Sequence, residues 1–112
     1  MSEFEYSATK SFSDLLTEWE DLIHELSDKE IALFQWKECY NIKSEEIIKE
    51  TDFKELYGKN NEGIRKQHVR NELTDWYDTI KELEFSINYI ERRLMFLREL
   101  IRTKRMIYEA QL

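Results

Sequence analysis

Two long 4-3 hydrophobic repeats, separated by a stretch that holds the chain's only two glycines, constrain this sequence more than any other feature. The first runs Phe12, Leu15, Trp19, Leu22, Leu26, Lys29, Leu33, Trp36, Tyr40, Lys43, Ile47. The second runs Val69, Leu73, Trp76, Ile80, Leu83, Ile87, Ile90, Leu94, Leu97, Ile101, Lys104, Tyr108. Alternating steps of three and four place all these side chains along one seam of a helix, the pattern of helices that pack side by side. With no proline to interrupt either repeat, the expected fold is all-α: a long antiparallel helical hairpin, coiled-coil-like.

The expected organisation is a single domain over 1–112, with a frayed acidic lead-in at 1–10 and helix 1 over 12–50. A loop with a short turn follows over 51–61, and helix 2 runs unbroken over 62–108. Ser11 or Ser13 caps helix 1, and Asp14, Glu18, Glu20 and Asp21 load its first turns, where carboxylates complement the helix dipole. Thr51-Asp52 reads as a stop and restart. Gly58, Asn60, Asn61 and Gly63 supply residues that tolerate turn and cap conformations, with Asn60 or Asn61 capping helix 2. Pairing position i with j such that i + j is near 112 or 113 aligns the seams layer by layer. Trp36 then meets Trp76, Leu15 meets Leu97, and Lys29 faces Leu83 as a seam lysine that snorkels to the rim.

A second apolar stripe lies off the seam. On helix 2 it holds Tyr77, Phe85, Tyr89, Phe96, Leu100 and Ile107; on helix 1 it holds Leu16, Ile23, Ile31, Phe34 and Ile48. One hairpin covers one stripe per helix, so the remainder points to self-association, most simply a dimer forming a four-helix bundle. Tyr77, Phe85, Tyr89, Phe96 and Leu100 are the expected oligomer interface.

Charge is divided unevenly. The net −7 arises from 15 Asp/Glu against 6 Lys/Arg in residues 1–57 and 9 against 11 in 58–112. In an antiparallel hairpin the acidic half lies along the more basic half, so part of this asymmetry is internal complementarity. What is left over suggests an acidic partner surface at Glu18, Glu20, Asp21, Glu25 and Asp28. It also suggests basic contacts at Arg65, Lys66 and Arg70, and at Arg102, Lys104 and Arg105 on an uncovered helix end. The sequence pI near 4.9 argues against a dedicated DNA binder.

No catalytic site is expected. The glycines follow a helix rather than a strand and no Gly-Lys-Ser/Thr follows them, so no phosphate loop is present. Glu20, Asp21 and His24 have spacings that can share a metal, but helix 2 lacks a second Glu-x-x-His, so neither metal nor cofactor is expected. Cys39, the single cysteine, reads as a small half-buried residue beside the seam. With no intrachain disulfide available, no apolar run near the length of a membrane span and no signal-peptide pattern at the N-terminus, the expected setting is cytoplasmic, away from membranes.

The segment Thr51-Asp-Phe-Lys-Glu-Leu-Tyr-Gly-Lys-Asn-Asn-Glu-Gly-Ile-Arg-Lys-Gln-His68, with Glu82-Leu-Glu-Phe-Ser-Ile-Asn-Tyr-Ile-Glu-Arg-Arg-Leu and Phe96-Leu-Arg-Glu-Leu-Ile-Arg, resembles small helical proteins of bacteriophages infecting low-GC Gram-positive bacteria. The resemblance covers roughly residues 51–105, and its distinctive part is the Tyr-Gly-Lys-Asn-Asn turn entering an Arg/His helix start. It implies a setting in phage or host DNA replication and recombination, in the cytoplasm of the bacterial host. The leading expectation is therefore a non-enzymatic scaffold that binds a partner protein there. An inhibitor of a host defence system or nuclease, acting through an acidic, DNA-mimicking helix 1, is the alternative. Weak, nonspecific nucleic-acid binding by the end of helix 2 is the third.

Overall fold

The computed structural model describes residues 10–111. Four helices occupy them: α1 Phe12–Glu50, α2 Phe53–Tyr57, α3 Glu62–Glu72 and α4 Thr74–Gln111, with no strand among the described residues. The chain divides into two compact units; within the described residues the first takes 10–30 and 86–111, the second Ile31–Phe85. Of the lead-in expected over 1–10, only Lys10 lies within the described residues.

In the first unit the two helices run antiparallel. Glu18 of α1 meets Arg93 of α4, while Phe12, earlier in α1, shares a groove with Arg105 and Tyr108, later in α4. The core is the seam: Leu15 from α1 and Ile87, Ile90, Leu94 and Leu97 from α4 are buried, Leu15 and Leu97 completely. Each such side chain contributes about 1.5–3 kcal/mol relative to remaining in water. Trp19, Leu22 and Leu26 on α1 are only half-buried. The α1 seam of this unit therefore keeps apolar area in contact with solvent.

The second unit holds the turn. Asp52 caps α2, its carboxylate accepting from the Glu55 N–H at 3.1 Å. Gly58 closes α2 with φ of 74°, the left-handed conformation that costs glycine least. Asn61 then caps α3, its side chain accepting from the Ile64 N–H at 3.0 Å. Between the caps, Phe53 turns inward and is 2% exposed, packing against Tyr57 and edge-on against His68. Val69, Leu73 and Ile80 complete this core. Trp36 and Trp76 meet with ring centroids 4.7 Å apart, the layer that the register predicts.

Helix 2 is not continuous over 62–108. It breaks at Leu73 (φ −111°, ψ 36°), which separates α3 from α4. At the break the Thr74 hydroxyl shares its one proton between the carbonyls of Arg70 and Asn71, at 3.1 and 2.9 Å. A hydroxyl bonding back to the preceding turn slightly weakens a helix, as at Thr17, Thr79 and Thr103 without a break, and at Thr74 it draws on two carbonyls at once. Main-chain bonds from Leu73 to the Val69 carbonyl and from Tyr77 to the Leu73 carbonyl still bridge the break.

Candidate functional site

Three arrangements of side chains stand out, each inside one unit. The first is a charge cluster on α1 and α4 of the first unit. Arg93 donates through Nε and Nη2 to a single oxygen of Glu18, at 2.9 and 2.7 Å, and Lys10 donates to its other oxygen at 3.0 Å. Burial alone would raise the Glu18 carboxyl, but the hydrogen bonds from Lys10 and Arg93 and the attraction of both cations bring it below its ordinary value. The Arg93 guanidinium also lies 5.2 Å from the Phe96 ring centroid. Glu18, expected to face a partner, is instead held within its own unit.

The other expected acidic contacts are exposed: Glu20, Asp21, Glu25 and Asp28. At 100° per residue Asp21, Glu25 and Asp28 share one face of α1, and Glu20 falls to one side of it. Glu25 reaches Lys29 at 3.9 Å, a long and partly exposed pair. Lys29, at its seam position, is half-buried.

The second arrangement is an open groove of about 530 Å³ in the second unit. Tyr40, Asn41, Ser44 and Ile48 line it from α1, Glu62, Arg65, Lys66, Val69 and Arg70 from α3, and Tyr77 from α4. The Arg70 guanidinium lies 4.4 Å over the Tyr77 ring and Lys81 lies 5.2 Å over the same ring. Tyr77, expected in the oligomer stripe, is thus occupied by two cations in and beside the groove. Burial, reinforced by the neighbouring Tyr77 and opposed by Arg70, holds the Tyr40 phenol above its ordinary value. It therefore remains a hydroxyl, able to donate. Arg65, Lys66 and Arg70, expected as separate basic contacts, are brought together on this one groove.

The third lies in the first unit, where Phe12 faces Lys104, Arg105, Ile107 and Tyr108 across a groove of about 820 Å³. The expectation that Arg102, Lys104 and Arg105 lie on an uncovered helix end is corrected here, because Phe12 of α1 shares a groove with Lys104 and Arg105. Lys104 is half-buried in that groove, and Arg105 pairs with Glu109 at 3.1 Å; Arg102 alone is exposed and without an ion pair among the described residues.

Of the remaining stripe residues, Phe85 and Tyr89 are exposed, at 75% and 56%, while Phe96 and Leu100 are half-buried. Phe85 belongs to the second unit and Tyr89, Phe96 and Leu100 to the first. Cys39 is exposed rather than half-buried. Among the described residues no three His, Cys, Asp or Glu side chains gather as metal ligands would, and no helix is long and apolar enough to cross a membrane. No family model, no curated protein and no solved structure matches this chain. The geometry thus defines a class only: an all-helical protein whose distinctive surfaces are apolar faces and charged grooves.

Proposed function

We propose that this chain is a non-enzymatic helical scaffold that acts by binding proteins, beginning with copies of itself. The observation that carries the reading is the amount of large apolar surface left in water. In the first unit Leu16, Ile23, Tyr89 and Met95 are exposed while the α1 seam beside them is only half-buried; in the second, Ile31, Phe34, Ile42 and Phe85 are exposed. Large apolar side chains left in water in such number point to an interaction surface, and two helices packing on two others is the simplest way to cover them. In this reading the chain forms a dimer of the four-helix type. The resemblance of residues 51–105 to phage helical proteins suggests that its further partner works in DNA replication or recombination.

Light scattering on the intact chain tests the reading. The wild type is expected to be a dimer or larger at tens of micromolar, and Tyr89→Glu and Phe85→Glu are expected to lower the mass while preserving helical circular dichroism. A helical wild type that remains monomeric at high micromolar concentration defeats the proposal.

A further inference from the structure

Three cations line the groove of the second unit, and they are weakly committed. Arg70 stacks on Tyr77 and has no carboxylate at ion-pair distance among the described residues. Lys66 pairs with Glu62 at 2.9 Å, but both side chains are about three-quarters exposed. An exposed pair one helical turn apart is worth only about 0.3–0.5 kcal/mol, so a better acceptor displaces it readily. Arg65 gives one N–H to the Asn60 side chain at 2.7 Å and keeps its other donors. Glu62 is the only acidic side chain among the groove's lining residues. Above a floor of Val69 and Ile48, the site therefore offers an anion several charge-assisted hydrogen bonds.

We propose that this groove receives the acidic face of α1, formed by Asp21, Glu25 and Asp28, from a second copy of the chain. The three carboxylates stand at i, i+4 and i+7, spanning about 10.5 Å along the helix, and Arg65 to Arg70 spans about 7.5 Å of backbone with long side chains at both ends. Asp21 and Asp28 have no ion pair among the described residues, and Glu25 has only the long contact to Lys29. The match is of helix to helix: a straight row of carboxylates on one rod against cations on a rod that lies along a groove. A nucleic acid fits less well, because its phosphates would approach a chain of net charge −7.

The two surfaces differ, so the contact is heterologous. Copies joined this way form a ring if the rotation closes and an open chain if it does not, whereas an isologous apolar dimer stops at two. The charged contact goes beyond the apolar association proposed above and fails independently of it. Salt distinguishes them: at 25 mM ionic strength the Debye length is about 20 Å, and near 0.5 M it falls to about 4 Å, which screens the charged contact and spares the apolar one.

Charge exchange provides the test. One variant carries Asp21→Lys, Glu25→Lys and Asp28→Lys; the other carries Arg65→Glu, Lys66→Glu and Arg70→Glu. Sedimentation of the full chain at low salt is expected to show species beyond the apolar oligomer, lost in 0.5 M salt and lost in either variant alone. Mixing the two variants is expected to restore them, because the unaltered groove of one then faces the unaltered acidic face of the other, and the new lysines face the new glutamates. A control with Glu20→Lys, Glu30→Lys and Glu38→Lys, which changes the same charge on other faces of α1, should by itself still form the low-salt species, because its groove and its Asp21, Glu25 and Asp28 are unchanged.

The single substitution Arg70→Gln, expected to weaken the contact at least about tenfold, keeps the test intact if a triple variant does not fold. Wild-type assembly that ignores salt and both triple changes overturns the proposal, as does a mixture that fails to recover. Duplex DNA binding that requires Arg70 and competes with assembly assigns the groove to nucleic acid and overturns it as well. If the low-salt species persist while the high-salt form is a monomer, the charged contact stands and the apolar dimer falls.

Discussion

Arg93 and Glu18, 75 residues apart in sequence, meet through two N–H donors on one carboxylate oxygen, at 2.9 and 2.7 Å. The Arg93 side chain is 9% exposed and the Glu18 side chain 23%. An ion pair in that position has a larger effect when broken than when formed, because an arginine held mostly out of water then loses the carboxylate that takes two of its N–H groups. It also fixes how α4 lies on α1 in the first unit, since a slip of one turn would separate the two groups by about 5.4 Å.

Glu18→Gln is expected to destabilise the protein by about 1–3 kcal/mol at pH 7, the usual range for hydrogen bonds to charged groups. The pH dependence follows from the lowered Glu18 carboxyl. Such a group contributes its full stabilisation above its unfolded value and loses it as pH falls through its folded one. Urea titrations from pH 7 to pH 3 should therefore show wild-type stability declining over the acid part of that range. The Glu18→Gln protein should start lower and decline less. Parallel curves for the two proteins would remove Glu18 as the source.

The tryptophan pair sets the register of the second unit. Trp36 and Trp76 lie 4.7 Å apart between centroids at a tilt of 56°, and both are half-buried. Truncating either to Ala is expected to cost about 2–3 kcal/mol, below the ~3–5 kcal/mol of a fully enclosed tryptophan. Lys43 lies 5.1 Å from the Trp76 centroid, so quenching or a spectral shift on Lys43→Ala would report the same layer. Denaturant midpoints unchanged in both tryptophan variants would contradict this packing.

Phe53 is the residue that the sequence conceals. It stands between the repeats with Leu56 and Tyr57 at i+3 and i+4, and on so short a segment that spacing does not say that Phe53 is the one that turns inward while the other two stay exposed. Only the caps at Asp52 and Gly58, which wind α2 into a single turn, show that it points inward. Phe53→Ala is expected to cost about 3–5 kcal/mol, whereas Leu56→Ala, 61% exposed on the same short helix, should fall within about 0.5 kcal/mol of wild type. Gly58→Ala should cost about 1 kcal/mol from its backbone conformation alone, because no atom lies within 4 Å of an added Cβ. Thermal melts of the three variants rank them directly.

What was legible in the sequence follows the same physical division. A 4-3 repeat exposes the seam because periodicity averages over many residues, and Trp36 against Trp76 followed from it. Caps were legible because Ser11, Asp52 and Asn61 each act within three residues of themselves. The break at Leu73 was not, since it rests on where one threonine hydroxyl turns, and Thr74 bonds two carbonyls where Thr79 bonds one. The Glu18–Arg93 pair was within reach: the predicted register sets residue 18 opposite 94 or 95, one step from Arg93. The basic groove was not legible, because Tyr40, Arg70 and Tyr77 come from three helices and converge only through the turn and the break.

Binding of nucleic acid by the first unit is expected to be weak. Of the three cations expected there, Lys104 is half-buried beside Phe12, while Arg102 is exposed and Arg105 has only an exposed pair with Glu109 one turn on, which a phosphate displaces readily, so three cations at most meet phosphates. Neutralising Z phosphates on duplex DNA gives a salt slope of about −0.9Z, so three cations support a slope no steeper than about −3 per protomer. Titrating labelled duplexes of two unrelated sequences at 50 and 150 mM salt measures this. The expected result is a shallow slope that is the same for both duplexes. Submicromolar, sequence-selective binding at the higher salt would instead make α4 a recognition element and reverse the order of the functional readings.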